Sequence, residues 1–160
     1  VVVGARLCGE EESEPEMKQL AAQLGISDRS DFTGWFTDAP ERLRRMSIVV
    51  HASPLPAPFG QVVAEAMAAG VPVLATAAGG VSEVLDPDGT PLTGPWRTTA
   101  TGVLVRPGDT GALADALRYA LTNPDAAASR AEIARADAQR RFTIEQTADA
   151  VWRVWSSLFR

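Results

Sequence analysis

The amino-acid sequence predicts an α/β protein, a three-layer Rossmann-like domain with a mostly parallel sheet and helices on both faces. Two observations support this prediction. Short apolar segments alternate with longer segments of helical periodicity along the chain. The apolar segments are hydrophobic throughout rather than at every second residue, which is typical of strands buried on both faces. Ligands of such sheets bind beyond the carboxyl ends of the strands, so the loops that follow the strands are the expected site.

Each predicted strand is a short apolar run bounded by residues that favour a turn. The first run ends at Gly4, the second ends next to Gly34, and Pro72 lies near the start of the fourth, where a strand tolerates proline. The predicted strands are Val1–Gly4, Asp31–Thr33, Ile48–Ala52, Val71–Ala75 and Gly102–Val105.

The predicted helices show apolar residues three or four positions apart. The acidic segment Glu10–Glu16 is interpreted as a solvated loop leading into the first helix, which Gly25 would cap, and Gly70 would end the third helix. The predicted helices are Met17–Leu24, the residues after Pro40 to Met46, Gly60–Ala69, a short helix from Ser82, Gly111–Leu121, Asp125–Arg141 and Ile144–Phe159. The segment Asp86–Thr101 is rich in Gly and Pro without helical periodicity, so we expect a long surface excursion there.

The composition favours one globular domain and excludes several partners. The chain has 160 residues, 46% of them hydrophobic and 22% charged. Its net charge of -5 and its pI near 4.9 argue against a protein that follows the phosphates of a nucleic acid. The single cysteine, Cys8, excludes an internal disulfide and is compatible with a reducing cytosol.

No membrane span and no signal peptide are expected, because no apolar run approaches the roughly 20 residues that a spanning helix needs. The chain opens with a strand-like run and lacks an initiator Met, so we expect a piece of a longer protein.

The segment 58–75, PFGQVVAEAMAAGVPVLA, is the most informative part of the sequence. It reads as loop, helix, turn and buried strand, with Glu65 as the single acid in an apolar helix. The free N–H groups of Gly60, Gln61 and Val62 at the helix start could hold an anion, and Glu65 lies one turn further on. An anion site beside an acid suits a nucleotide, with its diphosphate on the amides and its ribose hydroxyls on the carboxylate.

These motifs resemble a known family. Residues 53–83, followed by Thr101–Val105 and by Pro107-Gly108-Asp109, are similar to the C-terminal donor-binding domain of the group-one retaining glycosyltransferases, glycosyltransferase family four. The resemblance implies the GT-B fold, in which two Rossmann-like domains hold a nucleotide-sugar donor between them. Residues 1–160 would be most of the second domain, lacking its first strand-helix unit and the separate N-terminal acceptor domain.

The resemblance also implies roles for individual residues in donor binding. Glu65 would accept hydrogen bonds from the ribose, with a structural acid as the alternative. Trp35 would meet the nucleobase, although an aromatic residue after a strand is often part of a core. The remaining donor-binding residues would be Gly60, Gln61 and Val62 at the diphosphate, and Gly79, Gly80 and Val81 along the sugar and phosphate. For Gly79 and Gly80, a tight turn that needs positive φ is the alternative.

The sequence departs from the family pattern at Ala57. The family has two Glu residues in this motif, of which the second matches Glu65 and the first falls at Ala57. Because a methyl group cannot accept a hydrogen bond or stabilise positive charge at the anomeric carbon, we expect donor binding to survive and transfer to be weakened. The cations that usually neutralise the diphosphate precede this part of the family sequence, and Arg6 is a weaker local candidate.

The resulting expectation is a hexosyltransferase-type glycosyltransferase domain that binds a nucleoside-diphosphate sugar for retaining transfer, as part of a longer cytoplasmic protein. Membrane-peripheral association of that protein stays open. No cofactor and no metal are expected, the catalytic residues are unknown, and the isolated chain should be inactive. One alternative is a non-catalytic nucleotide-sugar binding module. Another, a dinucleotide domain of the oxidoreductase type, is disfavoured because no Gly-x-Gly-x-x-Gly opens a helix after a strand.

Three further features are interpreted as structural. His51 lies in a predicted buried strand and is expected to be a satisfied core imidazole rather than a catalytic base. The arginines between residues 130 and 141 are expected to form a solvated face. Trp152 and Trp155 are expected to pack, although the resemblance implies that the last helix crosses toward the partner domain and would leave them partly exposed here.

Overall fold

The computed structural model describes residues 1–2, 13–34 and 38–159. Residues 1–39 form one compact unit and residues 40–160 form a second. Trp35, Arg6 and Cys8 lie outside the described residues, so the predictions made for them are not tested.

The described residues of the first unit form an α-helix, a 3-10 helix at Ser27–Arg29 and a short strand contact. Helix α1 (Ser13–Gln23) begins earlier than predicted and takes Glu14 and Glu16 into its first turn, where acids complement the helix dipole. Gly25 ends it as predicted, with a φ of 65°. Val2 of the first predicted strand and Phe32 of the second form a parallel bridge, and residues 3 and 4 of the first predicted strand lie outside the described residues.

The second unit contains a four-stranded sheet and the remaining helices. Strands β1 (Val49–His51), β2 (Val73–Thr76) and β4 (Val103–Val105) run parallel, and β3 (Trp96–Thr98) lies antiparallel at the edge, in the order β1-β2-β4-β3. The helices are α2 (Ala39–Leu43), α3 (Gln61–Ala69), α4 (Gly80–Leu85), α5 (Thr110–Thr122), α6 (Pro124–Arg141) and α7 (Ile144–Leu158). The predicted α/β class with a mostly parallel sheet is confirmed.

Alternation along β2 divides the core into two layers. Val73 and Ala75 face a cluster that includes Val63 and Met67 of α3, and Ala134 of α6. The residues of the opposite cluster are Leu74, Val103, Val105, Ala112 and Ala116, with Trp96 and Leu117 at its edge. Strands β2 and β4 are buried on both sides, which explains their continuous apolar sequences, whereas Val50 of β1 is exposed and β3 at the edge is only partly buried.

Strand β3 was not predicted, since it lies inside the segment that we interpreted as a surface excursion. Trp96 packs on Tyr119 of α5 with ring centroids 5.1 Å apart. Arg97 pairs with the buried carboxylate of Asp86, which also accepts the Thr90 N–H at 2.8 Å. These contacts come from residues distant along the chain, and the segment itself shows no strand periodicity.

Helix α7 exposes its apolar face. Trp152 and Trp155 are 68% and 58% exposed, so the packing predicted for them is wrong and the alternative of exposure is confirmed. Ile144 and Leu158, on the same helix, are exposed as well. Along the part of the chain that the structure describes, no helix is long and apolar enough to cross a membrane.

Candidate functional site

The carboxyl ends of the parallel strands lie at one edge of the sheet, and the predicted site loops begin there. His51 pairs in register with Ala75, and Thr76 pairs with Val105. The hydroxyl of Thr76 donates to the carbonyl of Ser53 at 2.6 Å, which ties the loop after β1 to the end of β2. This hydrogen bond holds two candidate ligand-facing loops at neighbouring positions.

The loop before α3 and the loop before α4 pack against each other through their backbones. Ala57 and Gly79 form a parallel bridge, and the Gly80 N–H donates to the Ala57 carbonyl at 2.9 Å. A Cβ on Gly79 would lie 2.3 Å from the Ala57 oxygen, and one on Gly80 would lie 2.4 Å from the Pro58 oxygen. Glycine is therefore required here by the close approach of two chain segments, and Gly79 also has a φ of 62°.

Gly60 joins the same packing arrangement. Its φ of 86° is left-handed, and a Cβ there would lie 2.6 Å from Cγ2 of Val81. Val81 is fully buried in this structure, and the donor contact expected for it stays a prediction. The structure thus brings together the two predicted glycine loops, 57–60 and 79–81.

The start of α3 has N–H groups that lack acceptors within the helix. The first described bond of this helix runs from the Val63 N–H to the Gly60 carbonyl at 2.9 Å. The N–H groups of Gln61 and Val62 precede it and belong to the helix end that lacks intrahelical acceptors. Gly60 is the residue before the helix, and it has no side chain that could cap these N–H groups. Such an end favours an anion through its N–H groups and its dipole.

Glu65 lies on the outer face of α3. Its carboxylate accepts a hydrogen bond of 3.0 Å from Nε2 of Gln61, one turn earlier. Both side chains are exposed. Glu65 is therefore not buried among the apolar residues of its helix. The side chains of Val63 and Met67 point to the sheet, whereas the side chain of Glu65 points away from it.

A cleft of about 560 Å³ opens beside Glu65, between α3, the end of α6 and the start of α7. Its polar groups include carboxylate, amide and hydroxyl oxygens, which are suited to hydrogen bonds with the hydroxyls of a sugar. The lining residues are Phe59, Gln61, Ala64, Glu65, Ala68, Ala138, Gln139, Arg141, Phe142, Thr143 and Thr147.

Arg141 and Phe142 were not predicted to belong to this region. The solvated face expected for the arginines between residues 130 and 141 is wrong for Arg141, whose side chain is 25% exposed. Its guanidinium donates to Asp137 at 2.7 Å and to the carbonyl of Val84 at 2.5 Å. The i, i+4 spacing of Asp137 and Arg141 was the signal in the sequence, but it does not distinguish a buried pair from an exposed one.

His51 has a buried Nδ1 without a hydrogen-bond partner among the described residues. The satisfied imidazole expected from the sequence is thus not observed at this atom. Within the same described ranges, no group of three or more His, Cys, Asp or Glu side chains is placed to hold a metal ion.

Comparisons with known proteins agree with the resemblance seen in the sequence. The family model described as Glycosyl transferases group 1 matches residues 1–137. The lipopolysaccharide core biosynthesis mannosyltransferase of Rhizobium meliloti is 33% identical over 92% of this chain and 39% of its own length. The phosphatidyl-myo-inositol mannosyltransferase of Mycobacterium leprae is 34% identical over 88% of this chain and 35% of its own length.

A solved structure shares both the fold and the sequence similarity. The HepE protein of Anabaena, crystallised in complex with UDP-glucose, superposes with a TM-score of 0.85 at 31% identity, over 97% of this chain and 40% of that protein. The present chain thus spans about two fifths of the length of these relatives. Its fold is that of one domain of the GT-B glycosyltransferases. With the family model covering most of its residues, the chain belongs to the group 1 glycosyl transferases.

Proposed function

We propose that this chain binds the nucleotide-sugar donor of a retaining glycosyltransferase, with the acceptor held by another domain of the same protein. The observation that carries the proposal is the arrangement of Gly60, Gly79 and Gly80, where two backbone loops meet at the start of α3. Crystals of HepE, the relative from Anabaena, contain UDP-glucose, which supports a donor of this class for the present chain.

The diphosphate would bind at the start of α3. The N–H groups of Gln61 and Val62 lack intrahelical acceptors there, and both residues are exposed. In the reaction the nucleoside diphosphate leaves with the electron pair of the anomeric C–O bond. Oriented amide dipoles would stabilise the negative charge that develops on it, so the protein's own contribution requires no metal.

The ribose would bind at Glu65. The carboxylate is exposed, lines the cleft and already accepts a hydrogen bond from Gln61, which holds it in one orientation. An ionised carboxylate can accept hydrogen bonds from both hydroxyls of a ribose. The sugar would lie toward the loop of Gly79 and Gly80, where Gly79 is exposed.

Titration calorimetry of the intact protein with UDP, GDP and their sugars tests this assignment. We expect one nucleoside diphosphate to bind and Glu65→Ala to weaken it by roughly 10- to 100-fold, the equivalent of losing a hydrogen bond to a charged group. Glu132→Ala removes an exposed acid on α6 and is the matched control. Preference for NAD, or equal affinities for the Glu65 and Glu132 variants, would contradict the proposal.

Ala57 favours a second candidate function, a nucleotide-sugar binding module without transferase activity. The carbonyl of Ala57 is committed to the Gly80 N–H, and its methyl group offers no acceptor at the position of the first family acid. An Ala57→Glu variant of the intact protein separates the two functions. A gain in glycosyl transfer supports a weakened enzyme, whereas unchanged donor binding without transfer supports the binding module.

We also propose that the exposed face of α7 packs on the acceptor domain. Its residues Val151, Trp152 and Trp155 are exposed at helical spacing, and an apolar face of this kind is stable when it is covered by another part of the protein. Amide hydrogen exchange of the intact protein tests this contact. Strong protection of residues 144–158 is expected, and exchange as fast as that of a free helix would exclude it.

A further inference from the structure

We propose that Arg141 is a positioning residue of the donor site, which holds both glycine loops in place. The inference rests on the proposed function and assigns to Arg141, which also lines the cleft beside Glu65, a role that it performs through its contacts with α4 and Phe142. Arg141 lies at the last position of α6, and its side chain is largely buried.

The first half of the link runs from Arg141 to α4. Its guanidinium donates to the carbonyls of Glu83 at 3.3 Å and Val84 at 2.5 Å. These carbonyls belong to the last turn of α4, where they lack N–H partners inside the helix and carry the negative end of its dipole. A cation with several donors therefore satisfies this helix end in two ways, by hydrogen bonding and by charge.

The position of Arg141 is itself fixed by Asp137. The Asp137 carboxylate is 8% exposed and accepts from Nε of Arg141 at 2.7 Å, while Nη2 of Arg141 lies 2.7 Å from the same oxygen. A buried carboxylate of this kind needs its cation, and the pair leaves the outer edge of the guanidinium free for the α4 carbonyls.

Movement at one end of α4 is transmitted to the other, because this helix is only six residues long. Its axial length is about 9 Å at the usual rise per residue. Its first residue is Gly80, whose N–H is bonded to Ala57. Holding the carbonyl end therefore holds the Gly79-Gly80 loop against the loop before α3.

The second half of the link runs through two aromatic rings. The Arg141 guanidinium lies 4.4 Å from the centroid of the Phe142 ring. Phe142 in turn meets Phe59 edge to face, with centroids 5.4 Å apart and an interplanar angle of 84°. Phe59 directly precedes Gly60 in the chain. One guanidinium thus supports the loop before α4 by hydrogen bonds and the loop before α3 by ring contacts.

Substitution of Arg141 tests the link in the intact protein, with two controls on the same helix. Arg141→Gln removes the charge and the bonds to α4. Arg140→Gln is the matched control, since Arg140 also bonds Asp137, at 2.6 Å, but is 76% exposed. Ala136→Gly weakens α6 at an exposed position and controls for stability alone.

Amide hydrogen exchange is the first readout. We expect Arg141→Gln to accelerate exchange in residues 57–60 and 79–85, Arg141→Lys to restore part of the protection, and both control variants to leave these segments as in the wild type. Exchange in Arg141→Gln that matches Ala136→Gly in these segments would overturn the proposal. This readout decides the positioning role whether or not the protein binds a nucleotide.

Donor binding is the second readout. Because a small displacement of ligand-holding groups has a large effect, Arg141→Gln should weaken UDP binding by about tenfold, while the two controls bind UDP as the wild type does. Wild-type affinity in Arg141→Gln would overturn the link to the donor site. A wild-type protein that binds neither UDP nor GDP would contradict the proposed function, and the exchange measurement would still decide the positioning role.

Discussion

The Gly80 N–H donates a hydrogen bond of 2.9 Å to the carbonyl of Ala57 and so joins the two loops that follow β1 and β2. The loops carry the residues predicted for donor binding, and their contact leaves no space for a side chain at Gly79 or Gly80. The glycines are therefore explained by the packing of the loops, and the same packing makes their backbone a rigid surface for a ligand.

Gly79→Ala should destabilise the protein more than Gly89→Ala. Both glycines have positive φ, 62° and 68°, which costs an alanine at least about 1–2 kcal/mol, and the ψ of -144° at Gly79 lies in a region that is essentially restricted to glycine. A Cβ at Gly79 also meets the Ala57 oxygen, whereas a Cβ at Gly89 has nothing within 4 Å. We expect overpacking to add about 1–3 kcal/mol for Gly79→Ala in urea denaturation. Equal decreases in the free energy of unfolding for Gly79→Ala and Gly89→Ala would show that the two loops move apart to accept a Cβ at position 79 without loss of stability.

Gly60→Ala and Val81→Ala should be coupled. The alanine Cβ at position 60 would lie 2.6 Å from Cγ2 of Val81, and Val81→Ala removes that atom. The destabilisation by Gly60→Ala should thus be smaller in the Val81→Ala background, by an interaction free energy of about 0.5–3 kcal/mol. Urea denaturation of the two single variants and the double variant measures it, and strictly additive values would contradict the close approach.

Asp109→Ala should lower the free energy of unfolding by about 1 kcal/mol. The Asp109 carboxylate accepts the Ala112 N–H at 2.8 Å and caps the start of α5, a helix that covers one face of the sheet. Asp109→Asn retains a capping oxygen and is the matched control, with stability expected near that of the wild type. If Asp109→Asn lowers the free energy of unfolding as much as Asp109→Ala does, the cause is the loss of the charge and not the loss of the cap.

Arg97→Met should be strongly destabilising, by about 3–5 kcal/mol, because it leaves the carboxylate of Asp86 buried without its cation. The side chains of this pair are 21% and 10% exposed. Arg118→Met is the control, since Arg118 and Asp115 pair at 2.7 Å with both side chains mostly exposed, and a change below about 1 kcal/mol is expected. Similar decreases in thermal stability for Arg97→Met and Arg118→Met would show that the burial of the ion pair does not determine its contribution to stability.

Several features of the site were predictable because their signals are local. The end of α3 at the left-handed Gly70, and the order of helix and strand around it, follow from residues that are neighbours in the chain. The resemblance to the glycosyltransferase family added the assignment of Glu65 to the ribose, which stays a prediction. Strand β3 had no local signal, since its Trp96 is held by Tyr119 from a helix that comes later.

The sequence by itself determined the class of fold, the glycines that end α1 and α3, and the family, because apolar periodicity, capping glycines and a contiguous motif are properties of short segments. The tertiary structure decided why Gly79 and Gly80 must be glycine and why Arg141 is buried. Both depend on approaches between residues far apart in the chain, to Ala57 across two loops and to Val84 across two helices. Such approaches are set by the packing of the folded chain. The residues next to either partner in the sequence therefore do not indicate which distant residue it contacts.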